Sequence, residues 1–162
     1  MASGPSEIVL LCAGLIVAGL VSGVLLESWD DMSDAIDDRS KEGLEDARTK
    51  VSLVNDPTNI GWDDTEKTAI IYLQNSGETF LDLNNVGIFI NSLSLSVQVA
   101  DGSTSWTPGS IVQFSVDDTT DTLSFPGSQS ENEVKITITV VSTSTGYSGA
   151  NTVSEEVRLV TE

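Results

Sequence analysis

From Ile8 to Leu26 the chain runs 19 residues without a charge or a proline. That is close to the ~20 apolar residues a helix needs to cross a ~30 Å hydrocarbon core. The run is apolar on every side, so a helix built from it has no face to turn toward water. It must lie in lipid or against other helices, which excludes a freely soluble chain as the starting expectation. Met1 to Glu7 hold no Lys or Arg, and Glu27 follows the run directly. A secretory signal would show a basic start and a small-residue cleavage site there. The run therefore reads as a retained anchor.

Small residues recur along it. Gly14, Ala18 and Ser22 are four apart, as are Gly19 and Gly23. Such spacing lets helix backbones approach closely where no hydrophobic drive separates helix from lipid. The candidate packing and anchor residues are Ile8, Leu11, Gly14, Leu15, Ala18, Gly19, Ser22, Gly23 and Leu26. Beyond the run, Trp29, Met32 and Ile36 continue them at steps of three and four. Glu7 borders the run. Two readings stand for it: a carboxylate solvated near the positive helix N-terminus, or one that pairs with the N-terminus of a neighbouring subunit. Cys12 lies inside the run and is the lone cysteine, so no intramolecular disulfide is available.

Charge is the second constraint. The chain carries 25 acidic and 7 basic residues, a net charge of −18, and no His. It repels nucleic-acid phosphates and anionic lipids, so nucleic acid is not an expected partner. Self-repulsion opposes the compact state, and salt screens it. The acid is spread along the whole chain, which points to a halophilic, archaeal source.

Past the apolar run, Glu27 to Val54 keeps a helical stripe. Trp29, Met32, Ile36, Ser40, Leu44, Ala47, Val51 and Val54 step by three or four, with Asp and Glu on the other sides. One continuous helix from about Ile8 to Val54 is expected, roughly 70 Å long at 1.5 Å per residue. Asn55-Asp56-Pro57 is the expected stop, because the residue before proline leaves the helical region. So narrow a stripe does not hold a lone helix in water. It calls for other copies of itself, a partner helix, or the rest of the chain.

From Thr68 the period becomes two. Ala69, Ile71 and Leu73 alternate, as do Leu93, Leu95, Val97 and Val99, then Val112, Phe114 and Val116. Val134 to Val140 and Val153 to Leu159 follow suit, with a further short strand at Val86–Ile90. Turn signals separate them at Asn75-Ser76-Gly77, Asp101-Gly102, Thr107-Pro108-Gly109, Pro126-Gly127 and Ser148-Gly149. The expected architecture is α+β: a long transmembrane-type helix over residues 1–54 with its anchor at 8–26, a linker at 55–67, and an immunoglobulin-like antiparallel β-sandwich over 68–162.

The stretch from Ile70 to Gly77, then Leu81-Asp82-Leu83-Asn84-Asn85-Val86 and Ile88-Phe89-Ile90-Asn91, resembles the pattern of archaeal flagellin-type domains. Trp106-Thr107-Pro108-Gly109, Phe125-Pro126-Gly127 and Ile136 to Val141, with Gly146 and Ala150, continue the resemblance. The N-terminal helix is similar to those of archaellins and of the archaellum stator proteins F and G. Within that group the opening Met-Ala-Ser, the absence of a basic leader and the segment Trp29 to Arg39 resemble the G type. The resemblance implies a membrane-anchored stator-type component of the motility machinery. Its sandwich would lie outside the membrane and bind surface-layer protein or sister subunits. The alternative is a structural subunit of an archaellum or type IV pilus-like filament, its helices bundled in the core. Partners are then membrane or filament neighbours and related subunits in a homo- or hetero-oligomer. The location is the archaeal cell envelope or an extracellular filament. Arg39 and Lys41, the basic residues nearest the anchor, would by the positive-inside rule put the sandwich in the cytoplasm; the resemblance implies the opposite.

Catalytic signals do not appear. Without His the commonest general base and metal ligand is missing. No P-loop, G-x-G-x-x-G, G-x-S-x-G or C-x-x-C occurs, and no cofactor is expected. Asp117, Asp118 and Asp121, or Asp63 and Asp64, have the oxygens for Ca²⁺ but no EF-hand spacing, so they read as solvated acidic loops. No N-x-S/T sequon occurs. The charge balance makes its own prediction: the thermal midpoint rises from low to molar KCl or NaCl as self-repulsion is screened, and a midpoint indifferent to salt would refute this.

Overall fold

The computed structural model describes residues 4–125, 131–143, 146 and 148–161; the turn expected at 126–127 lies outside them. Helix α1 spans Gly4–Arg48 and is followed, among the described residues, by nine strands. They are β1 (Val51–Leu53), β2 (Ile60–Asp63), β3 (Thr68–Asn75), β4 (Leu81–Ile90), β5 (Leu93–Ser94), β6 (Ser96–Val99), β7 (Ile111–Asp117), β8 (Glu131–Ser142) and β9 (Ala150–Thr161). The chain divides into two compact units, residues 1–41 and residues 42–162, so the last turn of α1 belongs to the second.

In the second unit the strands follow one hydrogen-bonded path, β5-β4-β8-β9-β2-β3-β7-β6, with β1 also on β3. All pairings are antiparallel except β2 with β9. If β1 and β2 are two halves of one first strand, this is the immunoglobulin arrangement. One sheet is β1/β2-β3-β7-β6, the other β5-β4-β8-β9, and the short parallel pairing joins them. On the opposite side the Leu95 N–H donates to the Ile88 carbonyl at 3.0 Å, so the sandwich is nearly closed. The fold class is thus α+β, as the change of period from 3.6 to two implies.

Alternation puts Ala69, Ile71 and Leu73 of β3 inside, with Val112, Phe114 and Val116 of β7 opposite them. From the other sheet come Ile88, Ile90, Val134, Ile136, Ile138, Val140, Val157 and Leu159. Two buried tryptophans join this core. Trp62 meets Phe125 edge-on with centroids 5.4 Å apart, and Trp106 tilts against Phe114 at 5.2 Å, geometries that suit the ring quadrupoles.

Three expectations need correction. The helix stops at Arg48, not Val54. Val51 fits a helical stripe through Ala47, but Thr49, Val51 and Leu53 also alternate. The strand reading wins because it buries Val51 and pairs Val51–Leu53 with Leu73–Asn75. Second, the segment read as a linker holds β2, with Ile60 and Trp62 in the core. Between β1 and β2 the chain crosses from one sheet toward the other. The Asn55 side chain fills the gap in the ladder, accepting from the Tyr72 N–H at 2.6 Å and donating to the Ile70 carbonyl at 2.9 Å. The Arg158 N–H then donates to the Pro57 carbonyl at 2.7 Å. Third, the alternating run Leu93 to Val99 breaks at Leu95 into β5 and β6.

Five aspartates use their carboxylates to build turns. Each accepts from the backbone N–H two residues on: Asp56 from Thr58, Asp63 from Thr65, Asp82 from Asn84, Asp101 from Ser103 and Asp118 from Thr120. These are Asx turns, the local geometry that makes Asp a turn former. Asp118 is not the solvated loop residue expected from sequence, since it is only 4% exposed. It also accepts from the N–H groups of Thr122 at 2.8 Å and Leu123 at 2.6 Å. Burial pushes its carboxyl up, but the hydrogen bonds from Thr120, Leu123 and Thr122 outweigh that and hold it below its ordinary 3.8. A depressed value stabilises the fold above the unfolded value and ceases to as pH falls through the folded one. Asp118→Asn should therefore cost up to about 3 kcal/mol at neutral pH, the upper range for hydrogen bonds to a charge. In thermal melts from pH 7 to 3, its midpoint should lie below wild type by a constant margin above pH ~4 and by a shrinking one beneath it.

Candidate assembly interface

The apolar run lies wholly within α1, an unbroken helix of 45 residues. Every residue proposed for packing sits there in helical register: Ile8, Leu11, Leu15, Ala18, Ser22 and Leu26, then Trp29, Met32 and Ile36. None is buried. Ile8, Leu11 and Leu15 are each 65% exposed and Leu26 is 68%. The space that side chains on Gly14, Gly19 and Gly23 would occupy is open. Glu7 lies in the first turn, where the helix dipole favours a negative charge. By length and composition α1 can cross a membrane. One helix therefore offers two ways to cover the same surface, lipid or neighbouring helices, and its glycine and alanine positions allow the closer approach that helices require.

The last turn of α1 and the residues after it are held by the sandwich. The Thr49 N–H donates to the carbonyls of Glu45 at 2.9 Å and Asp46 at 3.2 Å. The Glu78 N–H donates to the Arg48 carbonyl at 2.8 Å, and the Ser76 N–H to the Lys50 carbonyl at 3.0 Å. Helix-end carbonyls left orphaned by the end of the ladder thus find donors. From the start of β9 the Ala150 N–H donates to the Asp46 carboxylate at 2.7 Å, and the Val51 N–H donates to Asn151 Oδ1 at 3.2 Å. Buried Thr49 shares a hydroxyl hydrogen bond with Thr79 at 3.1 Å. Arg48 bridges to Glu45 and Glu78, but it is exposed and such pairs add little.

Two glycines make this seat possible. A Cβ on Gly77 would collide with the backbone of Arg48 and Lys50. One on Gly149 would collide with the backbone of Glu45 and the Thr49 hydroxyl. Neither clash can be relieved by turning a flexible side chain. Asn75 organises the Gly77 side. Fully buried, it donates to the carbonyls of Thr79 at 2.8 Å and Trp106 at 3.2 Å and accepts from the Gly77 N–H at 3.1 Å. The Asn75-Ser76-Gly77 signal, legible as a turn, is thus also the socket for the helix end. The sequence reading missed this second role, and also missed Gly149. A glycine needed for close approach looks like any turn glycine until its neighbour is known.

The carboxylates considered for Ca²⁺ do not converge: among the described residues no group of three potential ligands could hold a metal. Lys67 lies between Asp64 at 2.8 Å and Asp121 at 3.8 Å, so a cation of the chain already sits there.

The model of the archaeal-type flagellin family matches residues 2–161. No curated protein matches the sequence. A solved structure, the secreted serine protease VesC from Vibrio cholerae, is 16% identical over 75% of this chain and 24% of its own, with a TM-score of 0.32. The chain spans about a quarter of that protein's length, and the likeness bears on neither fold nor function here.

The seat can be tested by filling it. Gly149→Ala should destabilise the sandwich by about 1–3 kcal/mol, the usual cost of overpacking, lowering its midpoint by roughly 3–10 °C. Near-ultraviolet circular dichroism of the two buried tryptophans follows that transition. Gly149 does not lie in the left-handed region, so a loss there reports the clash with Glu45 and Thr49 and not backbone strain.

Proposed function

The chain belongs to the archaeal-type flagellin family, and from that premise we propose that it is a structural subunit of an archaellum-type filament whose N-terminal helices bundle in the core. The family is one of structural, non-enzymatic filament proteins, and its match runs through the helix and the sandwich alike. The observation that carries the filament reading is the exposure of α1. Its apolar run is uncovered on all sides and carries small residues at four-residue spacing. Lipid can hold such a helix before assembly, and neighbouring helices replace lipid afterwards.

In that bundle Ile8, Leu11, Leu15, Ala18, Ser22 and Leu26 pack against other copies, and Trp29, Met32 and Ile36 extend the contact past the apolar run. Gly14, Gly19 and Gly23 admit a neighbouring backbone. Glu7, at the positive end of its own helix, pairs with the N-terminus of an adjacent subunit. The sandwich forms the outer layer, at the cell surface.

The sequence resemblance to the stator proteins supplies the other role: a chain that stays in the cytoplasmic membrane and ties the motor to the surface layer through its sandwich. Mass spectrometry of filaments purified from the source cells separates the two. As a major filament protein the chain is a subunit; confined to the membrane fraction, it takes the stator role. Gly19→Glu tests the bundle directly. A carboxylate at that position, buried among apolar helices, is costly enough to stop assembly. Electron microscopy should show no filaments from this variant, and filaments of normal number and length would refute the bundle.

A further inference from the structure

Past α1, five large apolar side chains stand exposed among the described residues: Val54, Ile70, Tyr72, Phe80 and Ile111. Four of the five lie on one surface, the outer face of the β1-β3-β7 sheet. Ile70 and Tyr72 alternate outward on β3 while Ala69, Ile71 and Leu73 point in. Val54 continues the β1 ladder, its N–H donating to the Tyr72 carbonyl at 2.9 Å. Ile111 opposes Gln74 across the β3–β7 register, one diagonal step from Tyr72. Their exposures are 43, 37, 40 and 49%. Single exposed apolar residues are ordinary, but a contiguous group is not.

The centre of this face carries no charge. Around the apolar group its outward residues are Ser52, Gln74, Gln113 and Ser115, and the acids stand at its margins: Asp63 of β2 and Asp117 of β7 on either side of Thr68, and Asp101, whose carboxylate accepts from the Gln113 N–H. The outer face of the other sheet differs, carrying Glu133, Lys135, Glu156 and Arg158 around β8 and β9. In a chain of net charge −18, an uncharged apolar centre with a tyrosine in it has the make-up of an interface core.

We propose that this face is a contact between the sandwiches of adjacent copies, distinct from the helix bundle. Charge selects the occupant. Copies of so acidic a chain repel wherever their acids oppose each other within a Debye length of ~8 Å, so they can touch closely only through a neutral surface. A basic partner would gain nothing here and would bind the acidic rims instead. The inference rests on the filament reading for the arrangement that brings sandwiches side by side. In a polar filament every contact is heterologous, so the neighbour meets this face with a different surface.

A photo-crosslinker places the test. Benzoylphenylalanine is incorporated in the full chain in place of Tyr72, in place of Ile111, and as a control in place of Thr152 on the other sheet. All three positions point outward, so the core is untouched. After irradiation in the source cells, the two positions on the β3–β7 face should yield an adduct of two copies, several-fold above the control. The attached peptide should come from the sandwich. An adduct with a different protein, no adduct, or equal yield at all three positions overturns the proposal. Mass spectrometry of purified filaments is run alongside. The chain present in filaments without the adduct ends this inference and leaves the filament reading intact. The adduct in a chain absent from filaments keeps the contact and ends the filament reading.

Discussion

An apolar helix with nothing to cover it governs this protein. Twelve large apolar side chains between Ile8 and Leu26 are each more than half exposed. Burying one is worth about 1.5–3 kcal/mol, so covering them all exceeds the 5–15 kcal/mol that holds a typical domain folded. No arrangement of the chain in water can ignore a term of that size. Lipid and neighbouring copies both satisfy it. The sandwich holds the last turn of α1 through backbone hydrogen bonds to Arg48 and Lys50, with Gly77 and Gly149 admitting it.

The acidity is the counterweight. Such a charge keeps single copies apart, and the structure shows where some of it is turned to local use. Asp56, Asp63, Asp82, Asp101 and Asp118 each close a turn, so loops that join strands are acidic because Asp is a good turn former. Much of the remainder is spread over the helix beyond the apolar run and over the second sheet. What stays neutral is the centre of the outer face of β1, β3 and β7, with Asp63 and Asp117 at its end. Neutrality there costs solubility unless the face is covered, which is why it reads as a contact.

Family membership and residue physics agree on a structural protein of the archaellum and divide on its place in it. The resemblance in the N-terminal segment leans toward the stator proteins; the match over residues 2–161 is to the flagellin-type family. The residues legible for assembly, from Ile8 to Ile36, serve either role, because a helix that packs on its own copies also crosses a bilayer. The apolar face of the sandwich was not legible. Ile70, Tyr72 and Ile111 look like ordinary strand residues in the sequence, and only the pairing of β3 with β7 brings them together.

What the sequence determined alone is what depends on neighbours in the chain. A charge-free run makes a helix of membrane length, and alternation makes β3, β7, β8 and β9, because both patterns are set by the residue-to-residue period. The tertiary structure decided where two periods compete and where distant segments meet. Val51 fits both helix and strand until β3 offers it a ladder and a place in the core. Trp62 lies in an apparent linker until β9 and β3 flank it. Gly149 is a turn residue until the end of α1 occupies the space its side chain would need. These outcomes rest on contacts between residues far apart in sequence, and a local pattern carries no record of its long-range partner.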